Sequence, residues 1–181
     1  DQFTRLDTSD VSVFDFGYGQ LSYQINTLNR KQYASEGTNI LLRAKVVSGI
    51  EYYYPGSTSL DTVARISGPG HDWFNLKVTI DKYIKPIKYF KIGVFGEGVY
   101  SSQDFFRNYS ASILSAPSFN PIPESQTLFI DDYRAHQYLA GGLKAIATPY
   151  TNLDIRFEGY LFQPVLSILK TKDNKASYST P

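Results

Sequence analysis

The chain has 181 residues, 42% of them apolar and 15% aromatic, and carries a formal net charge of +1. So small a charge gives no basic field for nucleic acid, and no polybasic stripe or tail is present. Without Cys there is neither a disulfide framework nor a thiolate metal site, and no apolar run is long enough for a transmembrane helix.

Taken in chain order, the pattern that recurs has period two. Phe14, Phe16 and Tyr18 share one parity and Leu21, Tyr23 and Ile25 the other. This predicts a strand over about 11–25 with a bulge at Gly17 and Gly19, where the parity changes. From 38 to 53, Ile40, Leu42, Ala44, Val46, Ile50 and Tyr52 alternate with Asn39, Arg43, Lys45 and Glu51. From 72 to 84, Phe74, Leu76, Val78 and Ile80 alternate with Asn75, Lys77, Thr79 and Asp81. Both segments read as strands with one apolar and one charged face. The next strand is expected at 88–100, where Phe90, Ile92 and Val94 oppose Lys91 and Glu97. A fifth, at 133–147, sets Tyr133, Leu139, Leu143, Ala145 and Ala147 against Arg134, His136 and Lys144. The sixth, at 152–166, sets Leu153, Ile155, Phe157 and Leu161 against Asn152, Asp154, Arg156 and Glu158. No helical stripe longer than two turns interrupts the series.

Three features of these strands point to a membrane. They are about 10–16 residues long, where strands of soluble proteins have about 5–6 and a tilted membrane strand needs about 9–11. Their polar faces carry full charges at mid-strand and must be wet. Their connections alternate between short (Lys85 to Lys88, Thr148 to Thr151, and about 27–37) and long (about 54–71 and 101–132). An outer-membrane barrel has this asymmetry, with short periplasmic turns and long extracellular loops. The aromatic residues then fall into two belts: Tyr52, Tyr53, Tyr54, Trp73, Tyr100, Tyr133 and Phe162 on the long-loop side, and Tyr83, Tyr89 and Tyr150 on the other. Both ends of the six-strand series fall at the same rim, and the chain lacks Met and a signal peptide. The expectation is therefore an all-β, antiparallel transmembrane barrel of which this chain is an interior portion.

Asn26 to Thr38, Phe119 to Phe129, Tyr133 to Tyr138 and Arg156 to Pro164 carry a resemblance to a known family. The first resembles the turn before a strand in the surface-antigen barrel superfamily, which includes outer-membrane assembly factors. The others are similar to the C-terminal barrel of patatin-like phospholipases of the bacterial outer membrane. The resemblance implies a barrel of about 16 strands, a Gram-negative outer-membrane location, contact with lipid and lipopolysaccharide, and an upstream lipase domain joined to the barrel. It is compatible with homo-oligomerisation. It further implies an extracellular loop, 101–132, folded into the lumen beside Tyr133, Arg134 and Tyr138, with Ala135 where the superfamily has Gly.

No catalytic residue is expected in this chain, since no Gly-x-Ser-x-Gly elbow exists. No cofactor is expected, and His71 and His136 lack companions at metal-ligand spacing. Asp131 and Asp132 read as solvated, since adjacent strand residues face opposite ways. The candidate lumen charges are Arg134, His136 and Lys144 on one strand of a hairpin and Asp154, Arg156 and Glu158 on the other, expected to pair across it. Arg134 is the preferred specific residue, its guanidinium holding a carboxylate on the facing wall. The simplest reading of this face is a hydrated interior with no specific ligand. Two other classes remain: a soluble β-sandwich that stacks its aromatic residues on glycans, and a single-domain barrel lipase using a Ser-His pair around His136.

Overall fold

The structure, a computed structural model, describes residues 7–57, 66–150 and 153–179, with the side chains of the third strand described from residue 70. Six long strands follow one another: β1 (Val11–Asn26), β2 (Thr38–Tyr54), β3 (Ile66–Ile87), β4 (Phe90–Ser101), β5 (Gln137–Tyr150) and β6 (Leu153–Pro164). They form one antiparallel sheet in sequential order, and β1 does not pair with β6, so the sheet is open. A short helix α1 (Tyr109–Ser115) and two single-turn 3-10 helices (Pro123–Thr127 and Asp131–Tyr133) lie between β4 and β5. A small hairpin, β7 (Ile168–Lys170) with β8 (Ala176–Tyr178), follows β6.

Strict alternation along each strand gives the sheet two unlike faces. On one face lie Leu42, Val46, Phe74, Leu76, Val78, Ile80, Val94, Leu139, Leu143, Ile155, Phe157 and Leu161, all exposed. On this face, β2 carries no charge and β3 carries only Asp72 and Lys82, ten residues apart on either side of the apolar run Phe74 to Ile80. The opposite face carries Arg43, Lys45, Glu51, Lys77, Asp81, Lys91, Glu97, Lys144, Asp154, Arg156 and Glu158. This charged face is the covered one. The segment 102–136 lies over it and inserts Phe119 (3% exposed) among Phe95, Tyr138, Tyr160 and Phe162. Nearer the short turns, the 27–37 loop adds Ala34 to Tyr83 and Ile146. The β7–β8 hairpin buries Ile168 against Ile113 and Ala116 at α1. Every buried apolar cluster thus sits on the side of the charges.

The strands are staggered in one direction. Asn26, Asn39, Asp81, Phe95, Gly142 and Tyr160 follow one another across the sheet in register. Asn26 is the last residue of β1, whereas Tyr160 stands seven positions beyond Leu153, the first residue of β6.

Several expectations need correction. The bulge at Gly17 and Gly19 is absent: β1 and β2 pair without a shift from Val11 to Asn26. The apolar residues of β1 change sides because cover changes along the strand. Phe14 lies on the covered side, stacked on Trp73 and edge-on to Phe106, whereas Leu21, Tyr23 and Ile25 project from the bare face. The fifth strand begins at Gln137, because 131–133 turn as a 3-10 helix and Arg134 makes only an isolated bridge to Ser118. Thr151 and Asn152, between β5 and β6 in sequence, lie outside the described residues. The third strand starts six residues earlier than expected, at Ile66, and most of the remaining 54–71 link also lies outside the described residues. β3 and β4 meet at Lys88 and Tyr89, a tighter turn than Lys85 to Lys88.

Candidate functional site

Three polar networks occupy the covered face. The first centres on Glu51, fully buried. Its carboxylate contacts His71 Nε2 at 3.1 Å and accepts the Ser12 hydroxyl at 3.1 Å and the Arg107 backbone N–H at 3.1 and 3.2 Å. Phe14 and Phe106 pack on the His71 ring, and Trp73 packs on both. Because Arg107 belongs to the 102–136 segment, a strand carboxylate anchors that segment. Asn108 continues the link, donating to Ser12 Oγ at 2.8 Å while its Oδ1 caps α1 at Ala111 N–H.

The second network joins β3, β4 and β5. Glu97 accepts Tyr138 OH at 2.6 Å and Thr79 OH at 3.0 Å and pairs with Lys77 at 2.9 Å. Tyr138 OH also reaches the Ser118 carbonyl at 3.1 Å, a second tie to the covering segment.

The third lies near the short turns. Lys144 reaches across β4 to Asp81 on β3 at 2.9 Å and donates to Tyr83 OH at 3.0 Å. Arg156 donates to Glu158 through Nε at 2.9 Å and to the carbonyls of Tyr33 and Ala34 at 2.8 and 2.7 Å. Asp154 pairs with Arg30 at 3.1 Å and accepts Thr148 OH at 2.8 Å, and Lys91 pairs with Glu36 at 2.9 Å. The Lys91 ammonium holds the Glu36 carboxyl below its usual range through that hydrogen bond. Tyr33 OH bonds Glu124, joining the 27–37 loop to the covering segment.

Of the six charges expected to meet across the last hairpin, the structure brings together Lys144, Asp154, Arg156 and Glu158 and separates Arg134 and His136. Lys144 stands opposite Glu158 in register, whereas Tyr138, at the far end of β5, already pairs with Pro164. Among the described residues Arg134 holds no carboxylate. Its guanidinium donates to the carbonyls of Leu114 and Ala116 at 2.9 and 3.1 Å and closes the C-terminal end of α1, where free carbonyls collect. His136 is buried (1% exposed), with Nδ1 2.7 Å from Tyr178 OH, Phe105 beside the ring and Nε2 without a partner. Burial pushes its pKa down to about 4, against a small opposing pull from Asp104.

The aromatic residues divide by face. Tyr52, on the bare face, and Tyr100 (45% exposed) lie at the long-loop end, and Tyr89 and Tyr150 are exposed at the short turns. Tyr53, Trp73, Tyr83 and Phe162 point instead to the covered side, because their parity is that of the charges. Tyr133 sits in a 3-10 turn with its ring edge-on to Phe119 and Phe162. Glu51 is not among the site residues that the sequence suggests. Its only signal was a lone acid between apolar neighbours, Ile50 and Tyr52, in a strand otherwise charged with Arg and Lys.

Among the described residues no cluster of His, Asp or Glu could hold a metal ion, and no helix is long and apolar enough to cross a membrane. No family model, curated protein or solved structure matches the chain.

Proposed function

We propose that this chain forms six consecutive strands in the wall of an outer-membrane β-barrel, its bare apolar face against lipid and its charged face toward a hydrated interior. The observation that carries this reading is the inversion of faces: the apolar side of the sheet is exposed across β2 to β6, and the charged side is covered. In water such a surface far exceeds the apolar patch a soluble monomer tolerates. In a bilayer it is the face that lipid requires.

The stagger supports the same reading. A shift of seven residues at about 3.3 Å each, over five strand spacings of about 4.8 Å, inclines the strands by about 45°. That lies close to the tilt of outer-membrane barrels. On β2 the uncharged bare-face positions run from Ile40 to Ile50, which at that tilt is about 23 Å of height, against an apolar band of about 25 Å. Tyr52 then sits at one bilayer interface, and Tyr89 and Tyr150 lie toward the other. Lys82 stands beside the lower interface, where its ammonium can snorkel to the headgroups. Further barrel strands pair with the open edges of β1 and β6, and the 102–136 segment occupies the lumen. The function that follows is an anchor or translocator for an attached domain, in contact with lipid and lipopolysaccharide, as the resemblance to patatin-like phospholipase barrels implies. No catalytic step is assigned to these residues.

Nitroxide scanning from Phe74 to Asp81 in the protein reconstituted in lipid vesicles tests this. Phe74, Leu76, Val78 and Ile80 should be accessible to dissolved oxygen, with the intervening positions shielded from it. Equal access of a water-soluble nickel chelate to both sets would defeat the proposal.

A further inference from the structure

A cavity of about 300 Å³ lies between the covered face of the sheet and the 102–136 segment, and its wall carries three cations. Arg43 and Lys77 are direct cross-strand partners, and Lys45 follows Arg43 on the same face. Like charges placed directly opposite each other destabilise a sheet pair. Lys77 is relieved by Glu97 at 2.9 Å, and Lys45 leans over the Tyr18 ring at 4.6 Å. Arg43 is exposed and has no acidic partner among the described residues. No described carboxylate lines this cavity, whereas Asn75, Gln103 and Ser118 supply neutral hydrogen-bonding groups around it. The neighbouring cavity nearer the short turns is built differently, since its Lys144 and Arg156 are matched by Asp81 and Glu158. Two of the three cations lining that cavity are thus paired with acids of its own wall, whereas here only Lys77 has an acid, Glu97, and Arg43 and Lys45 have none among the described residues.

We infer that the cavity at Arg43, Lys45 and Lys77 is a binding site for a small oxyanion, phosphate or an organic phosphate or carboxylate of similar size. The guanidinium offers a planar fork that matches two oxygens of such an anion, and the two ammonium groups add point charges. The neutral amides and hydroxyl complete its hydration shell. The site adds to the barrel reading, which it needs only for access from a hydrated lumen.

Calorimetric titration of inorganic phosphate into the purified full-length protein, in the medium that keeps it monodisperse, tests the inference without relying on membrane insertion. Arg43→Gln with Lys45→Gln removes two cations that hold no carboxylate among the described residues, so the fold should survive, as an unchanged circular dichroism spectrum will report. The expected result is phosphate binding in the native protein, weakened about tenfold or more in the double variant and unchanged in Lys82→Gln, a cation on the opposite face. Equal binding by all three proteins, or no binding to the native protein at millimolar phosphate, overturns the site. The nitroxide pattern at Phe74 to Asp81 is read separately, so loss of the site and loss of the barrel reading are distinguishable.

Discussion

Glu51 is a carboxylate with no exposed surface, and its oxygens receive donors from β1, β3 and the 102–136 segment at once. Glu51→Ala leaves the Arg107 N–H and the His71 ring without their acceptor in a closed aromatic setting. A loss of about 2–3 kcal/mol is expected in urea unfolding, with early protease cleavage near Arg107. A loss below about 0.5 kcal/mol would show that water replaces the carboxylate freely. Gly37 is a second residue whose identity the backbone dictates. Its φ is +97°, and an added Cβ would stand 2.2 Å from the Thr27 carbonyl oxygen. Gly37→Ala should therefore disrupt the 27–37 loop, whereas Gly17→Ala, where a Cβ meets nothing within 4 Å, should be neutral or slightly stabilising. Equal midpoints for the two variants would contradict this account.

At the scale of elements, the covering segment and the terminal hairpin are held by groups whose protonation matters. His136 is neutral in the fold because burial lowers its pKa from 6.5 to about 4. The unfolded chain therefore takes up a proton first as pH falls. Stability contributed by the neutral ring is complete above about pH 6.5, declines below it and is lost by about pH 4, a difference on the order of 3 kcal/mol. Urea midpoints measured from pH 7.5 to 4 should fall in this window, and His136→Gln should flatten the fall. A native protein with no slope there would show that the ring is hydrated. Arg134 acts on the same segment through the carbonyls at the end of α1. Arg134→Ala should loosen α1 and speed proteolysis of 103–116 while leaving strand content by circular dichroism unchanged; an unaltered cleavage rate would refute that role.

The same elements show what sequence could disclose. Phe74 to Asp81 declared both faces of β3, because period two needs only the identity of neighbours. Phe14 misleads, since an aromatic side chain under a covering loop alternates just as one under lipid does. Glu97, Lys144 and Asp81 were legible as a charged face, but the pairing of Lys144 with Asp81 spans β4 and depends on register. Arg134 reads as a strand residue because Tyr133, Leu139 and Leu143 share a parity. The 3-10 turn at Asp131–Tyr133 that takes it to the end of α1 has no periodic signature. Helix α1 itself, at seven residues, is too short for a stripe.

For the whole molecule, the test is what surrounds the bare face. Val78→Arg places a charge at the middle of that face, and in lipid vesicles it should cost about 2–4 kcal/mol, while Thr79→Arg, on the covered side beside Glu97, should not follow the bilayer's depth profile. Equal effects in thin and thick bilayers for both variants would argue against lipid contact. The two open edges carry a further consequence. Among the described residues β1 pairs only with β2 and β6 only with β5, so each leaves one row of backbone N–H and C=O groups unmatched there. In hydrocarbon each such group costs several kcal/mol, so these six strands cannot enter a bilayer by degrees. On the barrel reading, insertion and edge closure form a single cooperative step, and a sheet stalled before closure is a sticky, template-like species.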